Sequence, residues 1–143
     1  RAATGAFLRR LGRQSFPVTL PTHPAGAAIA RAAVQTPYTL EQLAERHHMS
    51  PRQVQRIFLD ETGLPFARWR SRARMNVAVP LLLGGADLTT AARVSKYATR
   101  AGFVRALSRE TGVPITHLVA DPAGALAHAA PLPAASTSAA VHA

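Results

Sequence analysis

The sequence predicts an all-α fold in which two helix-turn-helix subdomains are joined by a long bridging helix. Three observations predict it. The block Arg56-Ile57-Phe58-Leu59-Asp60-Glu61-Thr62-Gly63-Leu64-Pro65 returns as Arg105-Ala106-Leu107-Ser108-Arg109-Glu110-Thr111-Gly112-Val113-Pro114, at an offset of 49 residues. Such self-similarity marks a repeated supersecondary unit. Each copy also carries helix start and stop signals in the same order. Between the copies, Phe66 to Leu83 runs without a glycine until Gly84-Gly85 stops it.

The elements follow in chain order. Residues 1–16 suggest a short helix around Ala6–Arg13, where Phe7, Leu8 and Leu11 share a side. Pro17, Pro21 and Pro24 then break regular structure, so 1–24 reads as a linker. A first compact helix is expected from about Ala25 to Gln35, with Ile29, Ala33 and Ala30, Val34 at helical spacing and a stop before Pro37.

In the first copy, Thr39-Leu40-Glu41-Gln42 has the form of a capping box, and Leu40, Leu43 and Ala44 give the short helix an apolar face. Its second helix starts at Ser50-Pro51-Arg52-Gln53, where a serine caps, a proline takes the first helical position and a glutamine follows three residues after the cap. Val54, Ile57 and Phe58 point inward, Arg52, Gln55 and Arg56 point outward, and Gly63 terminates. Upstream of the repeated block the copies match at offset 48, with Leu40, Leu43, Ala44 and Met49 answered by Leu88, Ala91, Ala92 and Tyr97. In the second copy Asp87 or a neighbour caps the first helix, Thr99 caps the second, and Gly112 ends it. A turn of three or four residues makes the two helices of each pair cross steeply. The bridging helix, 18 residues long, extends about 27 Å at ~1.5 Å per residue. That length suits two recognition helices set about one DNA turn apart, because the major groove recurs on one face every ~34 Å.

Composition narrows the function classes. The chain has 143 residues, 48% of them hydrophobic, but 30 are alanine, which leaves a modest core for one domain of ordinary size. With no cysteine there is no disulfide framework, thiolate nucleophile or Cys-containing zinc site. Net charge is +10, and 16 of the 17 basic residues are arginine, which favours a partner with planar anionic groups, phosphate first. No apolar run reaches the ~18 residues of a membrane span, and no secretory signal is present. Residue 1 is Arg rather than Met, so the chain reads as a fragment or processed product. From 121 to 143 alanine, proline, serine and glycine dominate, with Leu126, Leu132 and Val141 the only bulk. A disordered tail is expected there.

Leu43-Ala44-Glu45, Met49-Ser50-Pro51-Arg52, Gln55-Arg56-Ile57-Phe58, Glu61-Thr62-Gly63, Phe66, Trp69, Arg74, Leu81-Leu82 and Phe103 through Gly112 carry a resemblance. From about Tyr38 to Leu118 the chain resembles the C-terminal DNA-binding domain of AraC/XylS-type transcription regulators. The resemblance covers about 80 of the 143 residues. It implies a double helix-turn-helix domain over 25–120 that binds double-stranded DNA, acts on RNA polymerase or by occlusion, and works in the cytoplasm at the bacterial nucleoid. It also implies an effector-binding or dimerisation N-terminal domain that is missing from this chain, and no cofactor. Departures from the family pattern are His48 and Lys96 where the turns usually carry glycine, Pro80 within the bridging helix, and small Ala91, Ala106 and Gly102 in the second copy.

By resemblance, the base contacts fall to Arg52, Gln55 and Arg56 in the first subdomain, with a phosphate contact or pairing with Asp60 as the alternative for Arg56, and to Arg100, Val104 and Arg105 in the second. The chemistry agrees. Arginine grips guanine O6 and N7, glutamine grips adenine N6 and N7, and valine meets a thymine methyl. Phosphate contacts are expected from Ser50 and Thr99 at helix N-termini, from Arg93 and Lys96, and from Arg70 and Arg74 in the run Arg68, Arg70, Arg72, Arg74. These four alternate at i, i+2, so at most about half of the run reaches DNA, and a structural role is the alternative for Arg74. Phe66 and Trp69 are expected in the core rather than stacked on bases. His47-His48 makes a poor metal site, because neighbours on a helix end point apart and no third ligand is near. No catalytic constellation appears. The competing reading is a decayed helix-turn-helix module that serves protein-protein interaction or binds DNA without specificity.

Overall fold

In the computed structural model, residues 16–129 are described, and every element of regular structure among them is an α-helix. Helix α1 (Pro24–Gln35) starts where the His23 ring nitrogen accepts the Ala25 and Gly26 N–H groups, with Pro24 in the first turn where it lacks nothing the helix uses. The extended Thr36 before Pro37 ends it. Helices α2 (Leu40–Arg46) and α3 (Pro51–Thr62) each open with a complete capping box, Thr39 with Gln42 and Ser50 with Gln53. The long helix α4 spans Phe66–Leu83. Then come α5 (Leu88–Val94), capped by Asp87, and α6 (Arg100–Thr111), capped by Thr99. Two short helices follow, α7 (Ile115–Ala120) and α8 (Pro122–Ala127).

The chain divides into two compact units, one of Pro17–Ala73 and one of residues 16 and 74–129. In the first, Ile29, Leu43, Val54 and Phe58 are fully buried together with Trp69 and Phe66. The Phe66 and Trp69 rings meet Phe58 edge-on at 5.1 and 5.2 Å, the arrangement the aromatic quadrupole favours. In the second, Met75, Val79 and Leu82 from α4 pack with Leu88, Ala91, Phe103, Leu107 and Leu118. Tyr97 lies against Phe103 at 5.4 Å.

The two turns have one geometry. Met49 N–H donates to the Ala44 carbonyl and Tyr97 N–H to the Ala92 carbonyl, both at 2.9 Å. His48 and Lys96, which stand where the family's turns usually carry glycine, take the left-handed backbone at φ 57° and 72°. Each pays about 1 kcal/mol for its Cβ there. Pro80 lies inside α4, which continues to Leu83.

Two expectations about the ends are corrected. The segment expected to be disordered from 121 onward is helical over Pro122–Ala127: Asp121 Oδ1 accepts the Gly124 N–H at 3.1 Å, and Leu126 is completely buried in the second core. A reading by apolar bulk misses this helix, because alanine needs no bulk to be the best helix former and the surface that covers Leu126 comes from elsewhere in the unit. The expected linker 1–24 is also pinned at its end. Phe16 is fully buried, its N–H donating to Asn76 Oδ1 and its carbonyl accepting from Asn76 Nδ2 at 2.7 and 2.8 Å. Trp69 Nε1–H donates to the Thr19 carbonyl at 2.9 Å. The helix expected at Ala6–Arg13 and the tail beyond 129 lie outside the described residues.

Candidate nucleic-acid interface

In the first unit, α3 is the second helix of its pair, and its start is the more fully capped of the two second helices. Ser50 Oγ accepts the Gln53 N–H at 3.1 Å while Gln53 Oε1 accepts the Ser50 N–H at 2.8 Å. Val54 and Phe58 bury one side, so the opposite face stays open to solvent with Arg52, Gln55 and Arg56 exposed on it. These three lie at i, i+3 and i+4 and share a face. Leu59 continues that face and is 54% exposed. Its only sequence signal is its place three residues after Arg56.

Gln55 is not fully available to a base. Its Oε1 accepts the backbone N–H of Phe66 at 3.0 Å, which caps the start of α4. The sequence expectation of a two-armed grip on adenine needs both ends of that amide.

In the second unit, the Thr99 hydroxyl accepts the Gly102 N–H at 3.0 Å and sets the start of α6. Arg100 and Arg105 are exposed. Val104 is not, at 4% exposure among the core residues, which corrects the expected thymine contact. The register explains it: Val104 neighbours Phe103 and completes the wider apolar stripe of α6 with Leu107. Exposed Ala101 and Arg109 stand four residues either side of Arg105 and extend the outer face. Arg109 was missed because the repeat pairs it with Asp60.

Of the arginines on α4, the two expected at phosphates have structural roles. Arg70 donates from Nε to the Ala33 carbonyl at 2.9 Å and from Nη2 to the Thr36 carbonyl at 3.0 Å, closing the C-terminal end of α1. Arg74 is 7% exposed with its guanidinium 5.0 Å from the Tyr97 ring centre. Burial lowers its pKa, and Tyr97 partly offsets this. Arg70 and Arg74 are four residues apart and therefore face inward together, whereas Arg68 lies exposed. Ser50, Thr99 and Arg93 are exposed and Lys96 half-buried. Asp87, at the start of α5, is held below the usual carboxylate range first by the Thr90 N–H and, more weakly, by the charges of Arg93 and Arg100.

Among the described residues no group of three or more His, Cys, Asp or Glu is placed to hold a metal. None of their helices is long and apolar enough to cross a membrane.

Two capped helix pairs, each with a basic outer face on its second helix, define a double helix-turn-helix domain. The family model described as "Helix-turn-helix domain" matches residues 43–120. The chain is 33% identical over 128 residues to the HTH-type transcriptional regulator RipA of Corynebacterium glutamicum, covering 86% of this chain and 39% of that protein. It is 34% identical over 84 residues to RipA of Corynebacterium diphtheriae, covering 59% of this chain and 24% of that protein. The chain belongs to the AraC-type helix-turn-helix family of DNA-binding domains. It spans less than two fifths of the length of these relatives.

Proposed function

We propose that this domain recognises a particular duplex DNA sequence by setting α3 and α6 into successive major grooves, and that it does so as the DNA-reading part of a transcription regulator. The observation that carries the reading is the repetition of one capped recognition helix with an exposed arginine at the same register, Arg56 and Arg105. A linking helix of 18 residues is about 27 Å long, close to the ~34 Å repeat of the groove. The relatives' description as transcriptional regulators supports regulation as the outcome. Effector sensing and contact with RNA polymerase are proposed for a larger protein of which this would be the DNA-binding part.

The two helices contribute unequally. Helix α3 offers Arg52, Gln55, Arg56 and Leu59, a mixture of base-reading chemistry, whereas α6 offers Arg100, Arg105, Arg109 and little else. The burial of Val104 favours a second subdomain that holds the backbone more than it reads bases.

Selection of bound sequences from a random pool, followed by titration of single-base variants at two salt concentrations, tests this. A discrete, asymmetric site is expected for a monomer, with affinity falling steeply as salt rises. Arg56→Ala should weaken binding by about 1–3 kcal/mol and relax one or two base pairs. Arg105→Ala should act about one turn of ~10 base pairs away, and more of its loss should be independent of sequence. Uniform weak binding across the pool would instead favour the decayed module.

A further inference from the structure

We infer that Gln55 reads DNA through its amide N–H₂ alone and so selects a keto base, guanine or thymine, over an amino base. This rests on the reading of α3 as a recognition helix. The two ends of a carboxamide diverge from one carbon. The Phe66 N–H takes one of the two lone pairs of Oε1 at 3.0 Å and holds that oxygen toward the start of α4, so Nε2 is the end left to meet a ligand on the exposed face shared with Arg52 and Arg56.

The bond also has a reason to persist. Phe66 is the first residue of α4, and the N–H groups of a first helical turn lack partners within their own helix. Its ring is buried at 3% exposure against Phe58, so the N–H stays at a fixed place beside α3.

Adenine recognition by glutamine uses both amide ends at once, the oxygen accepting from N6 and the nitrogen donating to N7. An amide that presents only donors loses that pairing and meets the N6 amino group with like polarity. Guanine offers it two acceptors, O6 and N7, and thymine offers O4. Cytosine presents only its N4 donor. The geometry therefore turns an adenine-reading residue type into a keto-base reader, and it makes Gln55 a joint between the recognition helix and the bridging helix.

The experiment compares the full chain with Gln55→Glu and Gln55→Ala. Glutamate keeps an oxygen for the Phe66 N–H, where the start of a helix favours negative charge, but it presents only acceptors to DNA. Wild type should prefer G or T at one position of the selected site by about three- to tenfold, the range of a single hydrogen bond. Gln55→Glu should move that preference to A or C at the same position with its melting temperature retained. Gln55→Ala should lose the preference and, having lost the cap, melt lower than Gln55→Glu in the absence of DNA. A wild-type preference for adenine that Gln55→Ala relaxes would overturn the inference and leave the recognition-helix reading intact, as would a Gln55→Glu profile unchanged at every position. If wild type selects no discrete site, the recognition-helix reading fails and the inference with it.

Discussion

At Glu61 one carboxylate oxygen gathers three donors: the Thr22 N–H at 2.7 Å, the Thr22 hydroxyl at 3.2 Å and the His23 N–H at 3.1 Å. The bond from the His23 N–H is the largest cause that holds this carboxyl below the ordinary glutamate range; desolvation opposes it, and the two weaker bonds from Thr22 add to the lowering. A depressed carboxyl pKa adds stability that is complete above the unfolded-state value and is lost as pH falls past that value and through the lower, folded one. Melting curves of wild type and Glu61→Gln should therefore converge in acid, and curves that stay parallel from pH 7 to pH 3 would remove Glu61 as the cause. Gly26 is the second sensitive residue. A Cβ there would stand 2.8 Å from Ile57 Cγ2 and 3.1 Å from Pro21 Cβ. The isoleucine is stiff at χ1, so overpacking of roughly 1–3 kcal/mol should exceed the ~1 kcal/mol that alanine gains as a helix former. Urea unfolding of Gly26→Ala should show a net loss.

At the scale of elements, the helices and turns follow from local rules. Thr39, Ser50, Asp87 and Thr99 each cap the helix they precede, and Gly63 and Gly112 take φ 79° and 75° at its end. Every one of these bonds closes within four residues, which is why the caps were legible in sequence. Helix α4 holds the exception. Pro80 is exposed three residues from its end, and it deprives the Asn76 carbonyl of its intrahelical donor. Pro80→Ala should raise stability by about 1–3 kcal/mol by restoring that bond and releasing the ring's crowding. An unchanged melting temperature would mean that the helix has already adapted around the proline. Gly102 shows the limit of propensity as a guide. Alanine is the better helix former, yet its Cβ would sit 3.0 Å from the Thr99 hydroxyl that starts α6.

At the scale of the whole molecule, the ends of the domain lie beyond the repeat. Ending the chain after Asp121 should lower stability by about 1.5–3 kcal/mol, the value of burying a leucine, because Leu126 is lost from the second core. Ending it after Ala129 should spare that contribution. Equal melting temperatures for the two truncations would show that α8 adds nothing. By itself the sequence determined the all-helical class, the repeated pair, the caps and the outward arginines of α3, because each depends on neighbours a few residues apart. Only tertiary structure decided that Arg70 and Arg74 turn inward, that Val104 is buried and that Gln55 spends its oxygen on Phe66. It likewise decided that Phe16 and Leu126 belong to the core. In every one of these cases the partner is distant in sequence or the burial comes from another element, and no local pattern records which surface the fold will bring against a side chain.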